Sequence, residues 1–290
     1  VTLTTTNNSS SWSTFWLKGA YDYTITRLSS TINTNLTVKN QGNGDILAID
    51  EAGAALELSG ITLNATSNRD GLYSSGGATL SIRGCKANFT CGSNDNPIYR
   101  FSSVLLERCS VTKPSGAKYS TSSKCFMNGS AKVSGSMTID VPDYNIEVDG
   151  VKVTGMNANN VGGNDKVRYN AESNILTLEN VTFNEIYTKH GMTKDFTIRV
   201  AGTCSGTRST GAALYLDNNS NTTITSTDGT GVLNATTTST NVNYAAIKVY
   251  QSGKQLTIKN CTVNAKGGYW GIAGFNGDEK LLIDDTNGTG

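Results

Sequence analysis

Five aromatic residues, Tyr73, Tyr99, Tyr215, Tyr269 and Trp270, have the type and setting for ligand binding. Three are the middle residue of a short apolar segment: Leu72-Tyr73-Ser74, Ile98-Tyr99-Arg100 and Leu214-Tyr215-Leu216. Lys248 holds the same place in Ile247-Lys248-Val249. Alternation along a strand turns that middle residue to solvent. An exposed ring offers a flat face to sugar C–H groups, and tyrosine adds a hydroxyl that hydrogen-bonds. Polysaccharide, or a glycan of a host or bacterial surface, is therefore the expected partner. Tyrosine ladders also make good sheet surface with no ligand at all. Tyr269, Trp270 and Phe275 stand among glycines in GGYWGIAGFNG, either as a wall for a ligand or as packing for an end coil.

Catalytic sets are harder to find. A lyase acting on uronates needs acidic calcium ligands with an Arg or Lys base, and a glycoside hydrolase needs two separated carboxylates. The sole histidine, His190 in TKHGM, is expected in a surface loop, and the adjacent Asp284 and Asp285 in LLIDDTNGTG suit a turn or cap. Arg69, Asp70 and Arg83 would share a face of neighbouring segments, but their spacing specifies no reaction. GGNDKV from Gly162 resembles one fragment of a glycine-rich calcium repeat, which builds sites only in tandem copies. No Cys/His cluster has zinc spacing. No catalytic residue, metal ligand or cofactor is predicted.

The elements that would position these residues are strands. Ser, Thr and Asn make about a third of the 290 residues and Gly adds 31 against 3 Pro, a mix that disfavours helices. Charged residues are 16%, below the roughly 25% of an average chain, and 24 basic side chains nearly cancel 23 acidic ones. That excludes a basic nucleic-acid footprint. No apolar run reaches the ~18–20 residues of a membrane-spanning helix. The chain opens at VTLTTTNNSS and ends at LLIDDTNGTG, where another strand would be expected, so it reads as a mature or trimmed piece.

Self-similarity organises the sequence. LELSGITLN at Leu56, LSIRGCKAN at Leu80 and VLLERCSVT at Val104 begin 24 residues apart, and LTLENVTFN at Leu176 and LTIKNCTVN at Leu256 repeat the pattern, with weaker copies at Leu36 and Leu281. Within each copy two alternating apolar pairs are offset by one residue, so both face inward only if the chain bends between them. Gly60, Gly84, Asn180 and Asn260 sit at that bend, where a left-handed backbone is tolerated; Arg108 is the exception. A short strand precedes each copy, at Leu47, Leu72, Ile98, Ile247 and Ile272. A unit of this length with three strands and no helix is one turn of a solenoid.

This pattern resembles the right-handed parallel β-helix, the pectin-lyase-like group, over about 36 to 136 and 170 to 290. The resemblance implies an all-β solenoid of about 24 residues per coil. It does not imply one function, since that fold carries lyases, hydrolases, adhesins and tailspikes. His190 only faintly resembles the Gly-His-Gly element of galacturonan hydrolases, whose paired-Asp and Arg-x-Lys elements are missing. Residues 140–175 read as a hairpin turning at Asp149-Gly150, a loop, and two strands turning near Glu172 to Asn174. They are similar to module starts in secreted or surface β-helix proteins of gut bacteria. Either two modules, 1–139 and 140–290, or one solenoid with an insertion follows. Cys85, Cys109 and Cys261 fill the inward slot held elsewhere by Ile61 and Val181, so they are expected as small core residues, with a Cys85–Cys109 bridge in reach of adjacent coils. Cys91, Cys125 and Cys204 show no partner. Asn-x-Ser/Thr triplets at Asn64, Asn88, Asn180, Asn234 and Asn260 lie within the repeats and reflect composition more than glycosylation. Trp12, Phe15, Trp16, Tyr21 and Tyr23 are expected to cap the open N-terminal end. The expected function is a non-catalytic, secreted or surface-attached glycan-binding or adhesive solenoid. A polysaccharide lyase or glycoside hydrolase on the same scaffold, and a structural stalk, are the alternatives.

Overall fold

The computed structural model describes residues 1–5, 13–27, 34–163 and 165–284. The protein is all-β, a parallel β-solenoid of about ten turns spaced about 26 residues apart. It divides into two compact units, Val1–Pro142 and Asp143–Gly290, each with its own apolar core. No helix among the described residues is long and apolar enough to cross a membrane.

In the first unit each coil gives one strand to each of three sheets. Leu56 pairs with Leu80 and Leu80 with Val104; Leu58, Ile82 and Leu106 pair likewise. The 24-residue repeat is thus one coil. Leu56, Leu58, Leu80 and Ile82 are at most 2% exposed, whereas the intervening Glu57 and Ser81 are half-buried. Each such aliphatic side chain contributes about 1.5–3 kcal/mol of burial. The bend between the two halves of the repeat has positive φ at Gly60, Gly84, Asn180 and Asn260, at +65°, +54°, +45° and +52°. Arg108 adopts +55° as well. The stack imposes the corner against the preference of a branched-free but Cβ-bearing residue, and the Arg108 guanidinium bonds Glu107 at 2.9 Å.

After the bend, Ile61 and Cys85 are 1% exposed in successive coils, with the Lys86 amide donating to the Ile61 carbonyl at 3.1 Å. Cys109 comes next but is only half-buried, because the chain leaves the stack there. Ser110–Lys113 does not lie on Lys86–Thr90; Ser136–Asp140 is inserted between them, antiparallel to both. Cys125–Asn128 likewise runs antiparallel to Ile98–Tyr99. The solenoid resemblance expected to reach residue 136 therefore stops near Cys109, and the rest of the unit covers two of its three sheets with antiparallel strands. Covering an open edge in this way removes unpaired backbone groups. All six cysteines are free thiols, so Cys85 and Cys109 are neighbours without a bridge.

One further sequence expectation changes. Leu36 pairs with Leu63, which puts the supposed weak copy in the second half of the repeat. The counterpart of Leu56 in the first coil is Tyr23, and that of Leu58 is Ile25. The described N-terminal aromatic residues take different places. Phe15 pairs with Leu47 and Tyr23 with Leu56, so both are rungs of the stack, while Trp16 and Tyr21 are exposed and Trp12 lies outside the described residues.

The second unit opens with the hairpin Asp143–Val148 and Val151–Thr154, turning at Asp149 and Gly150, both at positive φ as a two-residue turn requires. Its first strand pairs antiparallel with Ile186–Thr188, and Val167–Asn170 pairs antiparallel with Ile175–Glu179. Parallel stacking follows. Leu176, Ile198, Ile224, Ile258 and Ile283 form one column, spaced 22, 26, 34 and 25 residues apart. The spread comes from corner loops of different length, which change the length of a coil without changing strand register.

Candidate functional site

Parallel, in-register stacking sets equivalent residues of adjacent coils ~4.8 Å apart, so an outward tyrosine repeated in two coils must bring its rings together. On one face of the second unit, Ile186–Thr188, Leu214–Leu216, Ala245–Val249 and Trp270–Gly274 pair side by side, aligning Tyr187, Tyr215, Lys248 and Ala273. The Tyr187 and Tyr215 rings stack with centroids 5.1 Å apart and planes 25° apart. Tyr250 meets Tyr215 edge-on at 5.6 Å. Lys248 Nζ lies 5.1 Å from the Tyr215 ring, 5.0 Å from Tyr250 and 4.3 Å from Phe275. Ala273, next in the column, carries only a methyl group.

Polar groups border the rings. The Tyr187 hydroxyl donates to Asp217 Oδ2 at 3.2 Å, and Gln251 Nε2 donates to Asp217 Oδ1. Glu147, opposite Tyr187 on the antiparallel strand, pairs with Lys189 at 2.5 Å, and Glu185 with Arg208 at 3.0 Å. Burial, and then Asp217, pushes the Tyr187 hydroxyl upward and that of Tyr215 up to about 12, so both are neutral donors at ordinary pH. Burial lowers the Lys248 pKa, with Asp217 opposing.

The first unit carries a smaller version. Tyr73 and Tyr99 pair across one coil with centroids 6.1 Å apart, tilted by 46°. Arg100 reaches back over Tyr73 and donates to its hydroxyl at 3.0 Å. Tyr269 and Trp270 meet edge-on at 4.9 Å in the last coil, 55% and 45% exposed. Trp270 pairs with the buried Ala245, so its register is that of the inward face, not of the Tyr215 column. The five sequence-predicted residues thus fall into three separate places. Phe275, read from the sequence together with Tyr269 and Trp270, lies instead against Lys248, whereas Tyr187, Tyr250, Asp217 and Gln251 escaped the sequence reading. Tyr187 was findable, since Ile186-Tyr187-Thr188 repeats the Leu72-Tyr73-Ser74 pattern; Asp217 and Tyr250 each stand two residues beyond a column residue, just past a strand end, where side-chain type differs from coil to coil.

No protein-family model matches the chain, and no curated protein or solved structure matches it.

The other candidate residues do not converge. Arg83 lies between Glu57 and Glu107 on the outer face of a sheet, while Arg69 sits at a corner 3.9 Å from Asp45. His190 is exposed beside Lys189, Asp284 ends the last described strand, and Asp285 and Asn164 lie outside the described residues. Among the described residues no three metal-ligating side chains gather.

The corner at Asp45, Asp70 and Asn96 is nonetheless chemically unusual. The Ile46 amide donates to the Asp70 carbonyl and the Gly71 amide to that of Asn96, stacking the three in successive coils. Asp70 Oδ1 accepts from the Asn96 amide at 2.6 Å, but Asp45 Oδ1 is buried with no hydrogen bond. Burial pushes Asp45 up to about 6, with Asp70 and Asp95 adding and Arg69 opposing. Between the ordinary value of 3.8 and about 6, the folded protein holds a proton that the unfolded chain has released, so stability falls as pH rises through that window. Asp45→Asn is expected to flatten this slope and raise stability at pH 7 by on the order of 1–3 kcal/mol. Urea midpoints across the acid range measure it, and parallel pH profiles for the two proteins would contradict the assignment.

Proposed function

We propose that the protein is a non-catalytic carbohydrate-binding β-solenoid whose platform is the Tyr187–Tyr215 face of the second unit. The stacked ring pair carries the reading: two near-parallel rings, one hydroxyl oriented by Asp217, and Gln251 and Lys248 at the margin suit a sugar's apolar face and its rim of hydroxyls. The nearest carboxylates are committed to partners, Asp217 to Tyr187 and Gln251, Glu147 to Lys189 and Glu185 to Arg208, which favours binding over acid–base chemistry. Charges balance around the rings, so an uncharged polysaccharide fits better than a polyanion. A secreted or surface-attached location goes with this reading, as does kinship with the pectin-lyase-like group, supported by the three-sheet coil and its left-handed Gly or Asn corner.

Affinity electrophoresis against neutral and uronate-containing polysaccharides tests it. Retardation by a neutral polymer is expected, and Tyr187→Ala with Tyr215→Ala should weaken binding by about tenfold or more, roughly 1.4 kcal/mol per factor of ten, with the circular dichroism of the folded protein retained. No retardation by any polymer, or release of cleavage products, would defeat the proposal.

A further inference from the structure

Charge is balanced over the whole chain but not along it. Between Pro97 and Ile139 stand six basic residues, Arg100, Arg108, Lys113, Lys118, Lys124 and Lys132, against a single acid, Glu107. Glu107 is taken by Arg83 and Arg108. The other five cations form no ion pair with a carboxylate among the described residues. The antiparallel cap of the first unit gathers them. Tyr99 pairs with Cys125, and Met127 pairs with Lys118 on one side and Lys132 on the other, so strand alternation puts these five residues on the outer face of one sheet, beside Tyr73. Lys118 and Lys132 are exposed there, with backbones ~9.6 Å apart across Met127. At the neighbouring corner the Arg100 amide donates to the Lys124 carbonyl at 2.7 Å, and both residues have positive φ, +64° and +56°. A side chain disfavours that conformation, yet two cations stand where glycine would fit better. Farther out, Lys113 and Lys132 share a cleft of about 370 Å³ with Asn128, Ser134 and Ser136, and no acidic residue is among its described walls. Like charges crowded without counter-charge repel one another, so this surface favours an anion.

We propose that this cap binds a sulfated polysaccharide, at a site separate from the Tyr187–Tyr215 face. Lysine is a compact point charge whose three donors turn to follow a tetrahedral sulfate, whereas a planar carboxylate is best met by a guanidinium fork. Four of the five unpaired cations are lysines, and the one guanidinium, that of Arg100, already donates to the Tyr73 hydroxyl at 3.0 Å. Sulfate esters therefore suit the patch better than uronates. Its cations run from the tyrosines across the cap to the Lys113 cleft, which asks for a ligand with repeated charges and not a single ion. The tilted Tyr73–Tyr99 pair at the margin adds faces for sugar C–H groups. Choosing a saccharide over another polyanion rests on reading such pairs as sugar platforms.

Affinity electrophoresis of the 290-residue chain against dextran sulfate and plain dextran, which differ only in sulfation, tests this at physiological ionic strength. Retardation by dextran sulfate should exceed any by dextran. Lys113→Gln, Lys118→Gln and Lys132→Gln together should weaken it by about tenfold or more. Lys194→Gln, Lys259→Gln and Lys266→Gln, three exposed sites that change net charge equally, should leave it unaltered. Tyr99→Ala keeps the charge and should weaken binding as well, with circular dichroism retained. No preference for dextran sulfate, equal losses in the two lysine triples, or indifference to Tyr99→Ala overturns the proposal. So does tighter binding to single-stranded RNA or to phosphatidylserine vesicles. Such a failure leaves neutral binding through Tyr187 and Tyr215 untouched, and a lack of neutral binding leaves a lysine-dependent response to dextran sulfate intact, so the two readings fail separately.

Discussion

Phe196→Ala is expected to lower the unfolding free energy by about 3–5 kcal/mol, the largest single-site loss we anticipate. Phe196 is 1% exposed at the start of Phe196–Ala201 and belongs to the core of the second unit. Its amide donates to Asn221 at 2.9 Å, so the backbone there is held by the next coil and cannot readily follow a shrinking side chain. A ring removed from such a position leaves a cavity, because neighbours relax only in part. A denaturant titration with an unchanged slope and a lower midpoint is the expected result. A loss below about 1 kcal/mol would mean that the coil collapses around the gap, against the rigid stacking described above.

Asn218→Ala should cost about 2–4 kcal/mol for a different reason. Asn218, 2% exposed, donates to the Ser220 carbonyl and hydroxyl at 2.9 Å and to Thr222 Oγ1 at 3.1 Å, and accepts from Thr188 Oγ1 at 2.7 Å. Thr188, Ser220 and Thr222 are themselves buried. Removing the amide therefore orphans polar groups that water cannot reach, and an unmade buried hydrogen bond costs more than a made one contributes. The network predicts coupling. Thr188→Val in the Asn218→Ala background should cost less than Thr188→Val alone, by more than about 0.5 kcal/mol in a double-mutant cycle. Strict additivity would show that Asn218 acts by packing alone.

These side chains show where sequence reading stops. The alternation in LELSGITLN, the 24-residue step and the Gly or Asn at the bend are local signals, each enforced by strand geometry or backbone sterics within one coil. They sufficed for the all-β class, the stacked coil, the inward faces and the Asp149-Gly150 hairpin. Arg108 at a left-handed corner is instructive, since its own preference opposes the conformation and the coil it is stacked on, whose Gly84 amide donates to the Glu107 carbonyl, overrules it.

The residue string by itself determined the coil: its period, its corners and which side chains face inward, because those depend on neighbours a few positions apart. Tertiary structure alone decided how coils meet. The return of Ser136–Asp140 between two strands and the ring of Tyr215, Tyr250 and Phe275 about Lys248 both join residues whose separation varies with loop length. When steps range from 22 to 34 residues, no fixed spacing marks a contact, and only the hydrogen-bonded register of the sheets brings such side chains together.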